Sequence, residues 1–542
     1  MGNDRRNSEI PIGNHSKNRT QSIAFATLLM IIGLTISKCT GFLREIFIIQ
    51  KFGSSYLSDS FYLGFQIPDL FYQLLIGGSI QAAITPSLAR SLEKGEERRG
   101  WRSVSIFISV ISLIMLVIVL VGSLSSDFIF PAIYGHDKRA KTIALAATSA
   151  KILFPQVFFM MLAALSIGIL NAYKKFSSSA FGPTFYNILV VLSIILLGGK
   201  TPHAVILTCV GVLLSAFLFF VFQSSMARRE LSSFRFSLDI HDEGFRQLLK
   251  LAIPTMISAS IVQLNTIILA NFSVNHFSDG IVTSLNNAKT IWQLPYGIFA
   301  VAVGNVMLPS LAGHYASGDH KSARILLGRS LRNALFLTIP SAALLLTLRV
   351  DVVLGILNWG GSYSISAANR TASILMGYCI AVVMHTIIFI YNQAFYAIGK
   401  TKIPLINGGM TLVLTYAFCL LSVKLSLGAV GLSLAYSLSS VISAIFLSSV
   451  YRKNKLLSPK GIFRFLGREL ICVAVLLLFV SVLNLVPFYP TSKIIQLAWL
   501  FARAIMGMIG YLLCAYSLQM RELHTFLERI MRRKVHKLEN NG

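Results

Sequence analysis

The 542-residue sequence predicts an all-α polytopic membrane protein: about 14 transmembrane helices, arranged as two parallel-repeat six-helix lobes around a central cavity plus two C-terminal helices. Three observations predict this. Hydrophobic side chains make up 55% of the chain, charged ones only 13%, and mean hydropathy is +0.70, far too apolar for a soluble globular protein. Apolar runs of 18 or more residues recur along most of the length, each able to cross a hydrocarbon core of about 30 Å. The chain also repeats itself. PSLARSLEKGE at Pro86 to Glu96 returns as PSLAGHYASGD at Pro309 to Asp319, and the segment opened by Pro183 returns at Pro404, offsets of 223 and 221 residues. Gln66, Ile67 and Pro68 have a counterpart in Gln293, Leu294 and Pro295. An even number of spans separates the copies, so the lobes should be related by an axis along the membrane normal, with a central site between them.

The expected spans are 22–50, 58–85, 103–124, 144–171, 182–198, 203–224, 250–272, 281–308, 332–348, 371–395, 404–422, 428–450, 469–486 and 494–518. Residues 1–21, polar and basic, read as a disordered cytoplasmic tail, and the first span is too long for a signal-peptide core. At about 29 residues, or roughly 43 Å, that span must tilt, project past the bilayer, or bend, with Gly41 the expected point. Spans 1 to 6 form an N-lobe over 22–225, and 226–249 is a cytoplasmic interfacial linker. In it Asp242 is the expected N-cap of a helix whose apolar face, Phe245, Leu248 and Leu249, should lie on the inner leaflet. Spans 7 to 12 form a C-lobe over 250–451; helices 13 and 14 with a basic inner loop occupy 452–520, and 521–542 is a basic cytoplasmic tail.

The net charge of +27 would suggest a nucleic-acid partner in a soluble protein, but here its location decides. With the N-terminus inside, 34 of the 48 Lys and Arg fall on the cytoplasmic side, nine outside and five within spans, which places both termini in the cytoplasm. Nucleic acid is therefore excluded as a partner and membrane lipid is expected. One outer loop breaks the pattern, because Lys138, Arg139 and Lys141 lie together; contact with lipid headgroups is the expected reason. All six cysteines sit in apolar segments, with no CxxC and no Cys/His cluster of metal-ligand spacing.

Function should be written in the charges set inside the apolar sequence, since an ionised group near the bilayer centre costs about 2.5 to 3.5 kcal/mol on insertion scales. The stretch from Ser37 to Pro86 holds Lys38, Arg44, Glu45, Asp59 and Asp69. On its second helix Asp59, Gln66, Gln73, Gly77 and Gln81 keep within about 40° of one line, a polar seam, with Asp69 about 80° away. Span 8 carries Asn286, Lys289, Gln293 and Gly297 at i, i+3, i+7 and i+11, and span 7 adds Gln263 and Asn265. Between Asp351 and Glu469 there is no acidic residue, so spans 10 to 12 offer no carboxylate to a coupling cation. Lys151 and Arg503 are expected to snorkel. A purely structural alternative has Arg44 pairing with Asp59 or Glu45 to hold the first two helices together.

SKCTGFLRE followed by KFG, SDSFYLGFQIPDL, GGSIQAAITPSLA, the HDEG loop and QLPYGIFAVAVGNVMLPSLAGHYASGD resembles the MurJ (MviN) lipid II flippases of the multidrug/oligosaccharidyl-lipid/polysaccharide exporter superfamily. The resemblance covers the chain from about residue 22. It implies fourteen helices in two lobes around a cationic cavity, with the last two helices lining a groove for a polyprenyl tail. It also implies lipid II as substrate, the bacterial cytoplasmic membrane as location, the cell-wall synthesis machinery as a partner, and neither a cofactor nor catalytic residues. Carried onto this sequence, the family's basic positions on helix 1 fall on Lys38 and Arg44, and its helix 2 acid on Asp59. A helix 2 arginine is replaced by Gln73 and a helix 8 arginine by Lys289; Lys keeps the charge but loses the bidentate fork.

The expected substrate-binding set is thus Lys38, Arg44, Asp59, Gln66, Gln73, Lys289 and Gln293, with Glu45, Asp69, Gln263, Asn265 and Asn286 in support. Three readings compete: a lipid II flippase or one for another polyprenyl-diphosphate-linked saccharide, a cation-coupled drug or metabolite antiporter, and a polytopic glycosyltransferase. Deep cations favour an anionic substrate over the second. Short outer loops with isolated Asp127, Asp137, Asp279 and Asp351 disfavour the third.

Overall fold

The computed structural model describes residues 33, 36–76, 83–135, 139–359, 363–453, 460–486, 488 and 492–524, and all regular structure among them is helical. The N-terminal lobe comprises α1 (36–52), α2 (Tyr56–Leu75), α3 (Thr85–Glu93), α4 (Glu97–Tyr134), α5 (Ala140–Ala172), α6 (Ser177–Leu197) and α7 (Pro202–Met226). A single turn, α8 (Arg228–Leu231), opens the linker. The second lobe comprises α9 (Glu243–His276), α10 (Ile281–Pro295), a π-helical segment (Tyr296–Val301), α11 (Ala302–Ala316), α12 (His320–Thr347), α13 (Arg349–Leu357), α14 (Ile365–Ala397), α15 (Lys402–Lys424) and α16 (Val430–Lys453). The C-terminal pair is α17 (Lys460–Asn484) and α18 (Lys493–Ser517). Among the described residues twelve helices are long and apolar enough to cross a membrane. α1 and α2 pack among them, through Ile48, Phe52, Leu57 and Phe61 against Val190, Ile194 and Val205. Gly41 does not interrupt α1.

The sequence repeat is also a repeat of backbone conformation. α3 ends with Gly95 at φ +74° and α11 with Gly318 at φ +73°, the same 223-residue offset. In both, the next amide reaches back to close the turn, Glu96 N–H to Ser91 O and Asp319 N–H to His314 O, each at 2.9 Å. These are Schellman-type stops, and they require φ values that glycine adopts without strain. Both PSLA stretches, which lie beyond the ends of the expected spans 58–85 and 281–308, are helical. α2 and α10 likewise follow Gly53 and Gly280, at φ +69° and +84°.

The linker departs from expectation. Asp242 caps α9 by accepting from Phe245 N–H at 2.8 Å, as its position predicts, but the helix then runs through Pro254 to His276 without a separate surface helix. Its apolar face is buried: Phe245 is 3% and Leu248 1% exposed, both within the N-terminal core beside Phe107. α9 therefore begins the second lobe while packing on α2 and α4 of the first.

Candidate functional site

A cavity of about 210 Å³ lies where the lobes meet, lined from the N-lobe by Arg44, Glu45, Tyr62, Gln66, Asp69 and Tyr186, and from the second lobe by Gln263, Thr266, Asn286, Lys289 and Tyr378. Glu45 is its fixed point. Its carboxylate accepts from Arg44 Nη2 at 2.8 Å, Tyr62 Oη at 2.6 Å and Asn286 Nδ2 at 3.2 Å, so α1, α2 and α10 are tied through one side chain. Arg44 gives only one nitrogen to this pair and stays 35% exposed, leaving other N–H groups turned to the cavity. Lys289 donates to Thr266 Oγ1 at 3.0 Å, and a neutral acceptor leaves its charge uncompensated at contact distance. Asp69 makes no hydrogen bond or ion pair among the described residues. Gln66 is held by Tyr134 Oη at 2.8 Å, while its backbone carbonyl accepts from Gln263 Nε2 at 3.1 Å across the lobe boundary.

At the Gly53/Gly280 end of the bundle a second polar cluster joins the lobes. Asp59 is fully buried on α2 and accepts from Gly280 N–H at 2.7 Å, Thr283 N–H at 2.8 Å and Thr283 Oγ1 at 2.6 Å. Gly280 has no side chain to cap α10, so Asp59 serves as that helix's N-cap from the other lobe, where a carboxylate also meets the positive end of the helix dipole. Arg139 Nη2 donates to Asp59 Oδ2 at 2.6 Å and the guanidinium also pairs with Asp279. Arg370 completes the seam, donating to Ser54 Oγ at 2.7 Å and to Asp279 O at 3.2 Å. No hydrogen bond or ion pair among the described residues joins α3 to α11 at the opposite end.

The structure therefore sorts the expected site residues. Arg44, Gln66 and Lys289 converge on the cavity together with Glu45, Asp69, Gln263 and Asn286. Lys38 does not: it is exposed, nearly two turns from Arg44 on α1. Asp59 lies outside the cavity in the inter-lobe latch, and Arg44 pairs with Glu45, not Asp59. Gln73 is half-buried and Gln293 exposed, and neither lines the cavity. Asn265 is buried, its amide turned back to Ile261 O at 3.4 Å. Gly77 and Gln81 fall outside the described residues. On α10 the stripe reaches the cavity only as far as Lys289, and beyond Gln293 the π-helical segment from Tyr296 changes the residue-to-angle relation that placed Gly297 on it. With Lys38 absent, two cations face two carboxylates, so the lining is formally balanced where a net positive one was expected. Arg139 does not contact headgroups, being buried in the latch; Lys141 is exposed and Lys138 falls outside the described residues. Arg503 does not snorkel either: it is 7% exposed and pairs with Asp351 at 3.1 Å. Sequence reasoning missed Tyr62, Tyr186 and Thr266 in the cavity and Arg139, Asp279 and Thr283 in the latch. For Arg139 the signal was present, since a basic cluster on the wrong side of the charge bias needs a local reason.

Comparison with known proteins bears on this geometry. Residues 48–500 match the family described as "Lipid II flippase MurJ". The chain belongs to the lipid II flippase MurJ family. This is a family of transporters, not of enzymes. The lipid II flippase MurJ of Burkholderia cenocepacia is 27% identical over 80% of this chain and 85% of its own. The probable lipid II flippase MurJ of Treponema pallidum is 24% identical over 88% and 90%. Among solved structures, "Lipid II flippase MurJ, inward closed conformation" superposes with TM-score 0.74 at 23% identity, covering 92% of this chain and 99% of that one. An inward-facing multidrug resistance MATE family transporter of the MOP superfamily gives 0.66 at 15% identity, over 79% and 98%. These likenesses show a shared two-lobed fold.

Proposed function

We propose that this MurJ-family chain carries lipid II from the inner to the outer leaflet of the bacterial cytoplasmic membrane by alternating access, with both termini cytoplasmic. The observation that carries the reading is that Arg44 and Lys289, the cavity's two cations, enter from different lobes and each keeps binding capacity free. A diphosphate held by both would bridge the two bodies that must move, and its contact energy would favour one lobe arrangement over the other. Under the charge-bias orientation the Asp59–Arg139–Asp279 latch closes the outer side. At about 210 Å³ the cavity as it stands is too small for a disaccharide-peptide headgroup, so the lobes must part before one can enter. The lipid delivered outside would feed the cell-wall synthesis machinery.

Depletion in cells, followed by measurement of lipid II in each leaflet, tests the reading. Inner-leaflet accumulation is expected; an unchanged distribution together with altered export of cationic drugs would favour the antiporter. A reporter fused after Gly542 should report a cytoplasmic position.

A further inference from the structure

Beyond transport, the linker between the lobes is built to meet lipid. Over residues 235–240 it runs beside α4 with alternate side chains on alternate faces. Phe236, Leu238 and Ile240 are 69%, 45% and 53% exposed. Its inward-facing groups are tied down instead: Arg235 N–H donates to Ser105 Oγ and Ser237 N–H to Ser109 Oγ, both at 3.2 Å, and Asp239 takes Arg102 at 3.0 Å. The path descends from the level of Ser105 to Ser109 and returns to Arg102, so Phe236 and Leu238 flank the deepest point.

α4 serves as a depth gauge. Its lipid-facing side chains run from Leu113 to Phe128, and Asp127, paired with Lys151 at 2.5 Å, marks the far boundary. Ser109 lies 18 residues from Asp127, about 27 Å along the helix, close to the ~30 Å hydrocarbon thickness. The tip of the linker therefore sits at the edge of the acyl region, and Arg102, about 10 Å further back, sits among headgroups. At that depth unsatisfied backbone amides are costly, which explains why two α4 serines cap them.

Beside the tip is a cavity of about 640 Å³ lined by Arg98, Arg102 and Arg235 and by Ser232, Ser233 and Ser237, with Glu97, Trp101 and Ser105 completing the wall. Glu97 accepts from Tyr173 Oη, and Arg102 is held by Asp239 and Asp242. Arg98 and Arg235 have no ion-pair partner among the described residues. A cationic site bordered by exposed apolar side chains at the interface matches one chemistry. We propose that this cavity binds the headgroup of an anionic phospholipid, its phosphate between Arg98 and Arg235 and its acyl chains along Phe236, Leu238 and Ile240. Under the orientation above, that lipid belongs to the inner leaflet. Because Arg102 also holds Asp242, the cap of α9, an occupied site would brace the start of the second lobe against the first.

Native mass spectrometry of the full chain in detergent, titrated with phosphatidylglycerol or phosphatidylcholine, tests this independently of sidedness and transport. Preferential retention of phosphatidylglycerol is expected. Arg98→Gln with Arg235→Gln should weaken it roughly ten- to thirty-fold, at about tenfold or less per interfacial cation. Arg98→Lys with Arg235→Lys should keep it, and Phe236→Ser with Leu238→Ser should weaken both lipids alike. Equal retention of the two lipids by the unmodified chain would overturn the proposal, as would a Gln pair that binds phosphatidylglycerol normally. So would displacement by an equal concentration of inorganic phosphate, the mark of a soluble-anion site.

Discussion

Arg44 makes two kinds of contact, and its substitutions should separate them. One Nη bonds Glu45, which Tyr62 and Asn286 also hold, while the rest of the guanidinium faces the cavity. Losing a charge-assisted contact to substrate should cost about 1.5 to 3 kcal/mol, or roughly ten- to a hundred-fold in apparent affinity. Arg44→Ala and Lys289→Ala should therefore abolish complementation at near-normal membrane levels, and Lys289→Arg should be tolerated. A charge-swapped pair, Arg44→Asp with Asp59→Arg, should not regain function, because the two side chains belong to different clusters. Rescue by that swap would show that Arg44 acts on Asp59 and not on substrate. Asp59 itself is a latch residue. Asp59→Ala leaves Arg139 buried beside Asp279 alone and removes the cap of α10, so in a cysteine-free background Ser54→Cys should react faster with a membrane-impermeant maleimide. An unchanged labelling rate would show that the latch does not hold that end closed.

At the scale of elements, the two turns after α3 and α11 depend on backbone conformation alone. A Cβ added at Gly95 or Gly318 meets nothing within 4 Å, so substitution there is a test of φ and not of packing. Gly95→Ala and Gly318→Ala should each destabilise by about 1 to 2 kcal/mol, whereas Asn, which tolerates the left-handed region, should cost less. Thermal unfolding in detergent would read this order, and equal losses for Ala and Asn would point to another cause. The π-helical segment at Tyr296–Val301 works differently: it follows Pro295, whose missing N–H already removes a helical bond, and it re-aims the helix below the cavity.

For the whole molecule, the latch ties α2 to α10 at one end, while at the other Arg102 and Ser103 of α4 hold Asp242, the cap of α9, and α3 stands free of α11. Ser58 Oγ and Thr283 Oγ1 lie 2.8 Å apart in the latch, while α3 and α11 make no polar contact. Cysteines at Ser58 and Thr283 should therefore cross-link in the resting protein, and cysteines at Ser87 and Ser310 only when the opposite end has opened. Either bridge should block turnover, and transport that survives complete cross-linking of either pair would refute rocking of the lobes. Opening the latch is feasible because water replaces each broken bond once the end is exposed, leaving a net cost of about 1 kcal/mol per neutral bond and more for the ionic ones.

Much of this was legible in the chain itself. Hydropathy determined the spans, because a bilayer accepts only long apolar helices whose backbone groups bond internally, and that constraint is local. The repeat determined the two lobes, and it reached as far as Gly95 and Gly318. The polar seam determined that Gln66 would face the cavity, and the deep charges marked Arg44, Glu45 and Lys289. Partnership was another matter. Asp59 lies on the same helical line as Gln66, yet it is nearly two turns away, and only the approach of α10 and of the 139 loop made it a cap and an ion-pair partner. The depth of Phe236 was likewise invisible, since it follows from serines on α4 more than a hundred residues earlier. Helical period specifies which side of a helix a residue takes, but a hydrogen bond between distant segments depends on how the helices dock, and that docking is decided by the packing of whole faces.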